Sequence, residues 1–230
     1  MKTLGVIPAR GGSKGIPKKN IKLLNGKPLV AYTIEAAIAS DLDRVVVSTD
    51  CEEIAKISKI CGAEVMMRSD DLSKDTTPTL PVIQDVIEKL QFECEAVVTL
   101  QPTSPLRTYK HINEALDLFK NSKDADSLVS VVEVPHNFMP EKLMRVNGDY
   151  LVGSNDIKRR QELGVVYARN GAAIYITKMI NINKYIFGGL VVPFHMSKIN
   201  SFDIDDIEAV SYTHLRAHET PEHLVCRLLL

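Results

Sequence analysis

Arg10, Lys14, Lys18, Lys19 and Lys22 put five positive charges on thirteen residues that contain three glycines and no acidic side chain. Like charges on a flexible segment repel, and its glycines add conformational entropy that folding must remove. Such a segment makes sense as the holder of a polyanion. Glycine lets backbone N–H groups approach an anion, and Arg10, Lys14 and Lys19 can neutralise it from several directions. A triphosphate carries enough charge to match that many cations, whereas a single carboxylate does not. The spacing departs from both common phosphate fingerprints. Gly11 and Gly15 are too close for a Walker loop, Lys14 precedes the second of them, and G-x-G-x-x-G is absent.

Near the other end of the chain, Asp203 and Asp205 alternate in "SFDIDD", so in an extended segment both carboxylates point to one side. Two such groups repel unless a cation lies beside them. A hard divalent ion, held by one or two carboxylates plus phosphate oxygens, answers that repulsion. Gln101 ends an apolar strand-like run, where an amide is out of place unless it meets a ligand. Arg107 closes the same stretch and could serve either the site or the turn. His136 and His195 have no acid–base partner nearby in sequence and read as structural.

The elements around these residues alternate in texture. "TLGVIPA", "RVVVST", "AEVMM", "AVVTLQ" and "SLVSVVEV" are short β-branched runs of the kind buried on both faces of a sheet. Between them, Leu29 to Ser40, Glu52 to Cys61, Thr79 to Leu90 and His111 to Asn121 have helical spacing. Alternation with short connections predicts an α/β fold with a mainly parallel sheet and right-handed crossovers. Ligands of such sheets bind at the carboxyl ends of the strands, where the cationic loop lies. After Pro135 the chain turns polar, with Asn147-Gly148 a hairpin signal, until "AAIYIT" resumes the sheet and a last strand follows near Leu190 to Phe194.

The organisation expected is a core over residues 1–135, an inserted arm over 136–171 and a return to the core over 172–209. Residues 210–230, three of whose residues are histidine, lack amphipathic order and resemble a translated adapter tail, so they are set aside as non-native. The net charge of −1 argues against nucleic-acid and membrane partners. No run is long and apolar enough to span a bilayer, and the N-terminus lacks a signal peptide, which predicts a cytoplasmic protein. The four cysteines show no metal-ligand spacing and read as free thiols.

Taken together, "IPARGGSKGIPKKN", "VVVSTD", "MRSDDLSKDTTPT", "LQPTSPLR", "RRQE", "RNGAAIYI" and "SFDIDD" resemble, in order, the motifs of the acylneuraminate cytidylyltransferases, the CMP-sialic acid synthetase family. The resemblance runs from Met1 to about Ala209. It implies a Rossmann-like, three-layer nucleotidyltransferase fold with a small dimerisation arm, and hence a homodimer. It also implies CTP as co-substrate and Mg²⁺ or Mn²⁺ as the ion. The nucleotide would be held by Arg10, Ser13, Lys14, Lys19 and Asn20, with Arg68 and Thr79 near the cytosine. The sugar, a nonulosonic acid such as N-acetylneuraminic, legionaminic or pseudaminic acid, would meet Gln101, Lys142, Arg160, Gln161, Arg169 and Asn170. Asp203 and Asp205 would hold the metal, and with Arg10, Lys19 and Gln101 they make up the catalytic set. The competing readings are an enzyme like CMP-Kdo synthetase and a protein that binds CTP without turnover.

Overall fold

A computed structural model describes residues 1–13, 15–153 and 164–204. Each β-branched run forms a strand, and each amphipathic stretch a helix. In chain order these are β1 (Thr3–Pro8), the two-residue strands β2 (Leu23–Leu24) and β3 (Lys27–Pro28), α1 (Leu29–Ile38), β4 (Arg44–Thr49), α2 (Glu52–Ile60) and β5 (Glu64–Met67). Then follow α3 (Thr79–Leu90), β6 (Ala96–Thr99), α4 (Tyr109–Asn121), β7 (Ser127–Glu133), β8 (Met144–Asn147) and β9 (Tyr150–Gly153). β10 (Tyr167–Arg169), β11 (Tyr175–Lys178) and β12 (Val191–His195) complete the set.

The main sheet runs β7-β11-β6-β1-β4-β5, with β10 and β12 also pairing with β7. The pairings β6/β1, β1/β4, β4/β5 and β12/β7 are parallel. β11 enters antiparallel between β6 and β7, and β10 is antiparallel to β7. The sheet is therefore mixed on one flank and parallel through its centre. Alternation sorts the side chains into two layers of core, as the two-residue period of a strand requires. Val45, Val47, Val98 and Leu100 pack with α1, α2 and α4, while Leu4, Val6, Val46 and Val97 pack with α3 on the opposite face.

The chain leaves β1 toward β4 and β5, then returns to the other side of β1 as β6. That reversal splays the connections after β1 and β6 apart and opens a crevice at their carboxyl ends. The hairpin β8–β9 stands apart from the sheet, and every residue of both strands is exposed. Its turn differs by one position from the sequence reading. Asn147 pairs with Tyr150, so Gly148 (φ 61°) and Asp149 form the two-residue loop. A glycine at the first loop position supplies the positive φ that matches strand twist, which Asn147 supplies no longer.

Candidate active site

The crevice between the ends of β1 and β6 is a cleft of about 370 Å³. Its first wall is the loop after β1, which contributes Arg10, Gly12, Ser13, Lys19 and Asn20. Three contacts fix this loop. The Gly11 N–H donates to Asp50 Oδ1 at 2.9 Å, and a Cβ at Gly11 would come within 2.8 Å of the Cys51 Cβ, so glycine is required for the approach. Asn20 Nδ2 donates to the Arg10 carbonyl at 2.8 Å. Ile16, wholly buried, anchors the loop in a small apolar cluster with Leu24, Leu29 and Ile204. Lys18 instead reaches outward to Glu53 at 2.9 Å.

The second wall follows β5 and leads into α3, contributing Arg68, Leu72, Lys74, Asp75, Thr77 and Thr79. The Arg68 side chain is only 3% exposed and lies 3.8 Å from Asp50, the same carboxylate that holds Gly11. Burial pulls its pKa down, with Asp50 opposing. Across the cleft, Asp75 Oδ1 meets Arg10 Nη1 at 2.5 Å, with both side chains about one-third exposed. The sequence reading missed Asp75. Its place in the polar stretch "SKDTTPT" gave no sign that it would face Arg10.

Gln101, Pro102 and Thr103 form the third wall, with Gly171 and Asp203 closing the fourth. Asp203 is placed by its neighbour. The Ile204 N–H donates to the Thr103 carbonyl at 2.8 Å, and the Ile204 carbonyl accepts from Lys19 Nζ at 3.0 Å. The Asp203 carboxylate lies against Gly171, where an added Cβ would come within 2.4 Å of it. Gly171 (φ 66°) and Ala172 (φ 59°) both adopt the left-handed region, and strain of this kind in a non-glycine residue is concentrated at functional sites. The "NGAA" turn thus brings backbone, not side chain, up to the carboxylate.

The cleft therefore brings together Arg10, Ser13, Lys19, Asn20, Arg68, Thr79, Gln101 and Asp203 from the sequence-derived set. Three other members lie elsewhere. Lys142 is exposed and bonds His136 at 2.9 Å. Arg169 is exposed on β10, its guanidinium 4.8 Å from the Phe187 ring centre, beside Tyr175, whose hydroxyl is pushed up in pKa by burial. Asn170 is buried, and its amide is committed internally: Oδ1 accepts from Ser130 Oγ at 2.6 Å, and Nδ2 donates to Ser201 Oγ at 3.0 Å. It ties β7 to the segment before Asp203, beneath the cleft instead of facing it. Lys14, Arg160, Gln161 and Asp205 lie outside the described residues.

Chemically, the cleft sets arginine and lysine side chains at a sheet's carboxyl edge with two aspartates, Asp75 paired to Arg10 and Asp203 on the wall beside Gly171. Among the described residues no cluster of three or more His, Cys, Asp or Glu could cage a metal by itself. A carboxylate beside a cationic, glycine-rich loop does suit Mg²⁺, which keeps most of its ligands as water and phosphate oxygen. No helix among the described residues is long and apolar enough to cross a membrane.

Comparison with known proteins gives the family. The chain is 35% identical to the N-acylneuraminate cytidylyltransferase of Escherichia coli O18:K1:H7 over 211 residues, which is 89% of this chain and 49% of that protein. A Streptococcus agalactiae serotype V protein of the same name is also 35% identical, over 95% of this chain and 53% of its own length. The chain thus spans about half the length of these curated relatives. It is 36% identical to the CMP-N,N'-diacetyllegionaminic acid synthase of Legionella pneumophila over 217 residues, 91% of that protein. Among solved structures, CMP:2-keto-3-deoxy-manno-octonic acid synthetase complexed with CTP superposes with a TM-score of 0.74 at 18% identity, over 96% of this chain and all of that one, a likeness of fold. The family model described as cytidylyltransferase matches residues 4–213, so the resemblance read from the motifs is borne out and the chain belongs to the cytidylyltransferase family.

Proposed function

We propose that this protein transfers the cytidylyl group of CTP to a nonulosonic acid, N-acetylneuraminic acid or a bacterial relative such as legionaminic or pseudaminic acid, giving the CMP-sugar and pyrophosphate. The observation that carries the reading is the placement of Arg10 and Lys19 across one cleft from Asp203, at the strand-order reversal. The names of the E. coli and Legionella relatives support the substrate class.

In this reading the sugar's anomeric 2-hydroxyl oxygen attacks the α-phosphorus. The bond from that phosphorus to the β-bridging oxygen breaks, pyrophosphate leaves with the electron pair, and the hydroxyl proton passes to solvent. The protein does no covalent work. Arg10, Lys19 and Asn20 hold the polyphosphate, with Ser13 and Lys14 completing the loop. They also neutralise charge that grows on the leaving group. Arg68 and Thr79, on the opposite wall, face the cytosine. Gln101 orients the attacking sugar, and Arg160, Gln161, Arg169 and Lys142 meet its carboxylate and tail from the arm. Holding oxygen and phosphorus in line at near-attack distance supplies much of the rate. Asp203, together with Asp205 two residues on in the sequence, would hold Mg²⁺ or Mn²⁺. A bound ion of this kind neutralises phosphate charge and acidifies a nearby hydroxyl.

The arm's exposed apolar side chains support a homodimer. Val146, Tyr150 and Leu151 are 63–77% exposed, a cost that a second copy would remove by covering them. We place the protein in the cytoplasm, where CTP is made. The deciding experiment is pyrophosphate release from CTP and Mg²⁺ with a panel of nonulosonic acids and Kdo. Release with a nine-carbon acid supports the proposal. Release with Kdo alone moves the protein to the eight-carbon class, and CTP binding without release for every sugar leaves it a binding protein.

A further inference from the structure

Arg107 is the one arginine among the largest wholly buried side chains, 2% exposed, and among the described residues it has no carboxylate partner. Its contacts are neutral acceptors. Nη1 donates to the Gln101 carbonyl at 3.1 Å and to the Ala173 carbonyl at 2.6 Å, and Nη2 donates to Thr33 Oγ1 at 2.6 Å. Nε is buried with no acceptor. Burial alone pulls its pKa down to about 9, which leaves it charged at neutral pH. An unpaired buried cation is costly, and neutral side chains of similar volume usually serve stability as well or better. A stabilising role therefore does not account for it.

The acceptors share a location. Gln101 carries the amide on the third wall of the cleft, and its N–H donates to the Ala172 carbonyl at 3.3 Å. Ala173 follows the left-handed pair Gly171–Ala172, whose glycine lies against the Asp203 carboxylate. Two residues beyond Gln101, the Thr103 carbonyl receives the Ile204 N–H. One guanidinium thus spans the two backbone segments that carry Gln101 and back Asp203, and Thr33 fastens both to α1. Thr33 completes the set by donating its own hydroxyl hydrogen to the Gln101 carbonyl at 3.4 Å. Only a donor-only, forked side chain can serve two carbonyls and a hydroxyl from within the core.

We propose that Arg107 is a positioning residue: by clamping the Gln101 and Ala173 carbonyls it sets the distance between the Gln101 side chain and the Asp203 carboxylate across the cleft. The proposal rests on the cytidylyltransferase reading above. Its hydrogen bonds go to Gln101, Ala173 and Thr33 and not to the nucleotide-holding side chains Arg10, Lys19, Asn20 and Arg68, so its loss should disturb transfer and leave CTP capture alone. A lysine cannot replace it, because one ammonium nitrogen does not reach all three acceptors in the same geometry.

The test compares wild type with Arg107→Lys, Thr33→Val and Thr33→Ser. It measures CTP affinity by calorimetry without sugar, pyrophosphate release with CTP, Mg²⁺ and the best acid of the panel, and amide hydrogen exchange. Displacements near 1 Å cost about a hundredfold in rate, so R107K should lose about that in kcat while its CTP Kd moves less than about threefold. Exchange at the Gln101 and Ile204 amides should accelerate in R107K, with Val46 in the central sheet unchanged. T33V should show the same split at about a tenfold loss, and T33S should restore it. Wild-type kcat in folded R107K, a CTP affinity that falls in parallel with kcat, or unaltered exchange at both amides overturns the proposal. If R107K fails to fold, T33V decides by the same readouts. If wild type releases no pyrophosphate with any acid, the cytidylyltransferase reading falls instead, and the exchange measurements still decide whether Arg107 sets these two segments.

Discussion

Asp75 gives the cleft a property that can be measured directly. Its carboxylate holds Arg10 at 2.5 Å, with the two side chains 31% and 37% exposed. An incoming polyphosphate must share or take over that guanidinium, and it meets a like charge on entry. Asp75→Asn removes the charge and keeps the shape. An ion pair this exposed contributes about 1 kcal/mol at most, which bounds what is lost when Arg10 is no longer held in place. The repulsion relieved depends on the dielectric of the cleft. With a phosphate charge about 6 Å from the carboxylate, Coulomb's law gives about 0.7 kcal/mol at the dielectric of water and about 2.8 kcal/mol at an effective dielectric near 20. In a partly exposed cleft the relief lies between these, about 2 kcal/mol. Subtracting the lost pairing leaves about 1 kcal/mol, so D75N should bind CTP about fivefold more tightly than wild type in low salt. The gain should shrink toward nothing at about 1 M salt, where charges are screened over about 3 Å. Calorimetric titration of CTP at both salts checks this, with Glu88→Gln on the exposed side of α3 as a control for net charge. Equal or weaker CTP binding by D75N at low salt would refute the reasoning and make Asp75 an organiser of Arg10 instead of its competitor.

The remaining predictions concern other walls and the arm. Gly171→Ala forces a Cβ into the Asp203 carboxylate at φ 66°, with about 1–3 kcal/mol of backbone strain besides, so both the thermal midpoint and pyrophosphate release should fall; a fully active G171A would contradict the placement of Asp203. His111 accepts the Thr108 N–H at Nδ1 at 3.1 Å to cap α4, and burial lowers its pKa, with Glu114 opposing and Arg107 reinforcing. The neutral ring's contribution is therefore complete above the unfolded value near 6.5 and is lost as pH falls through the lower folded value. Melting curves should steepen in pH dependence just below pH 6.5 for wild type and less so for His111→Ala, which should also cost about 1 kcal/mol at neutral pH. Leu151→Glu on the exposed hairpin should convert the proposed dimer to monomer in light scattering, without lowering the melting temperature of the core.

Much of this arrangement could be read from the chain because the signals are local. β1, β4, β6 and β7 follow from short runs rich in β-branched residues and β5 from the largely apolar "EVMM", and α3 occupies the very residues its periodicity marked out. The loop announces itself by charge and glycine within thirteen residues. What stayed hidden depends on distant partners. Nothing in "AAIYIT" says that β11 enters antiparallel between β6 and β7, since a run buried on both faces looks the same in either direction. Arg107 could be site or scaffold until its burial was known, because only the fold brings Thr33 and Ala173 to it. Asn170 reads as a polar side chain beside a site, yet Ser130 and Ser201 consume its amide. Lys14, Arg160, Gln161 and Asp205 lie outside the described residues, so their roles are read from sequence alone.

The question left by the loop is what assembles five like charges on one short stretch. The visible ion pairs do not suffice. Lys18–Glu53 is more than half exposed on both sides, and pairs of that kind contribute little. The wholly buried Ile16 is better placed to do it. It lies inside the cationic stretch and packs with Leu24, Leu29 and Ile204, and Ile204 is the residue next to Asp203. Burying one isoleucine is worth about 1.5–3 kcal/mol, and here two are buried in the same cluster. A hydrophobic contact thus draws the positive loop and the negative segment to the two sides of one cleft, while Lys19 donating to the Ile204 carbonyl sets their registry. Screening should leave that joint intact, since burial of apolar surface does not depend on charge. The cleft can then stand ready in salt that dissolves its ion pairs, and its charges remain available for the phosphates.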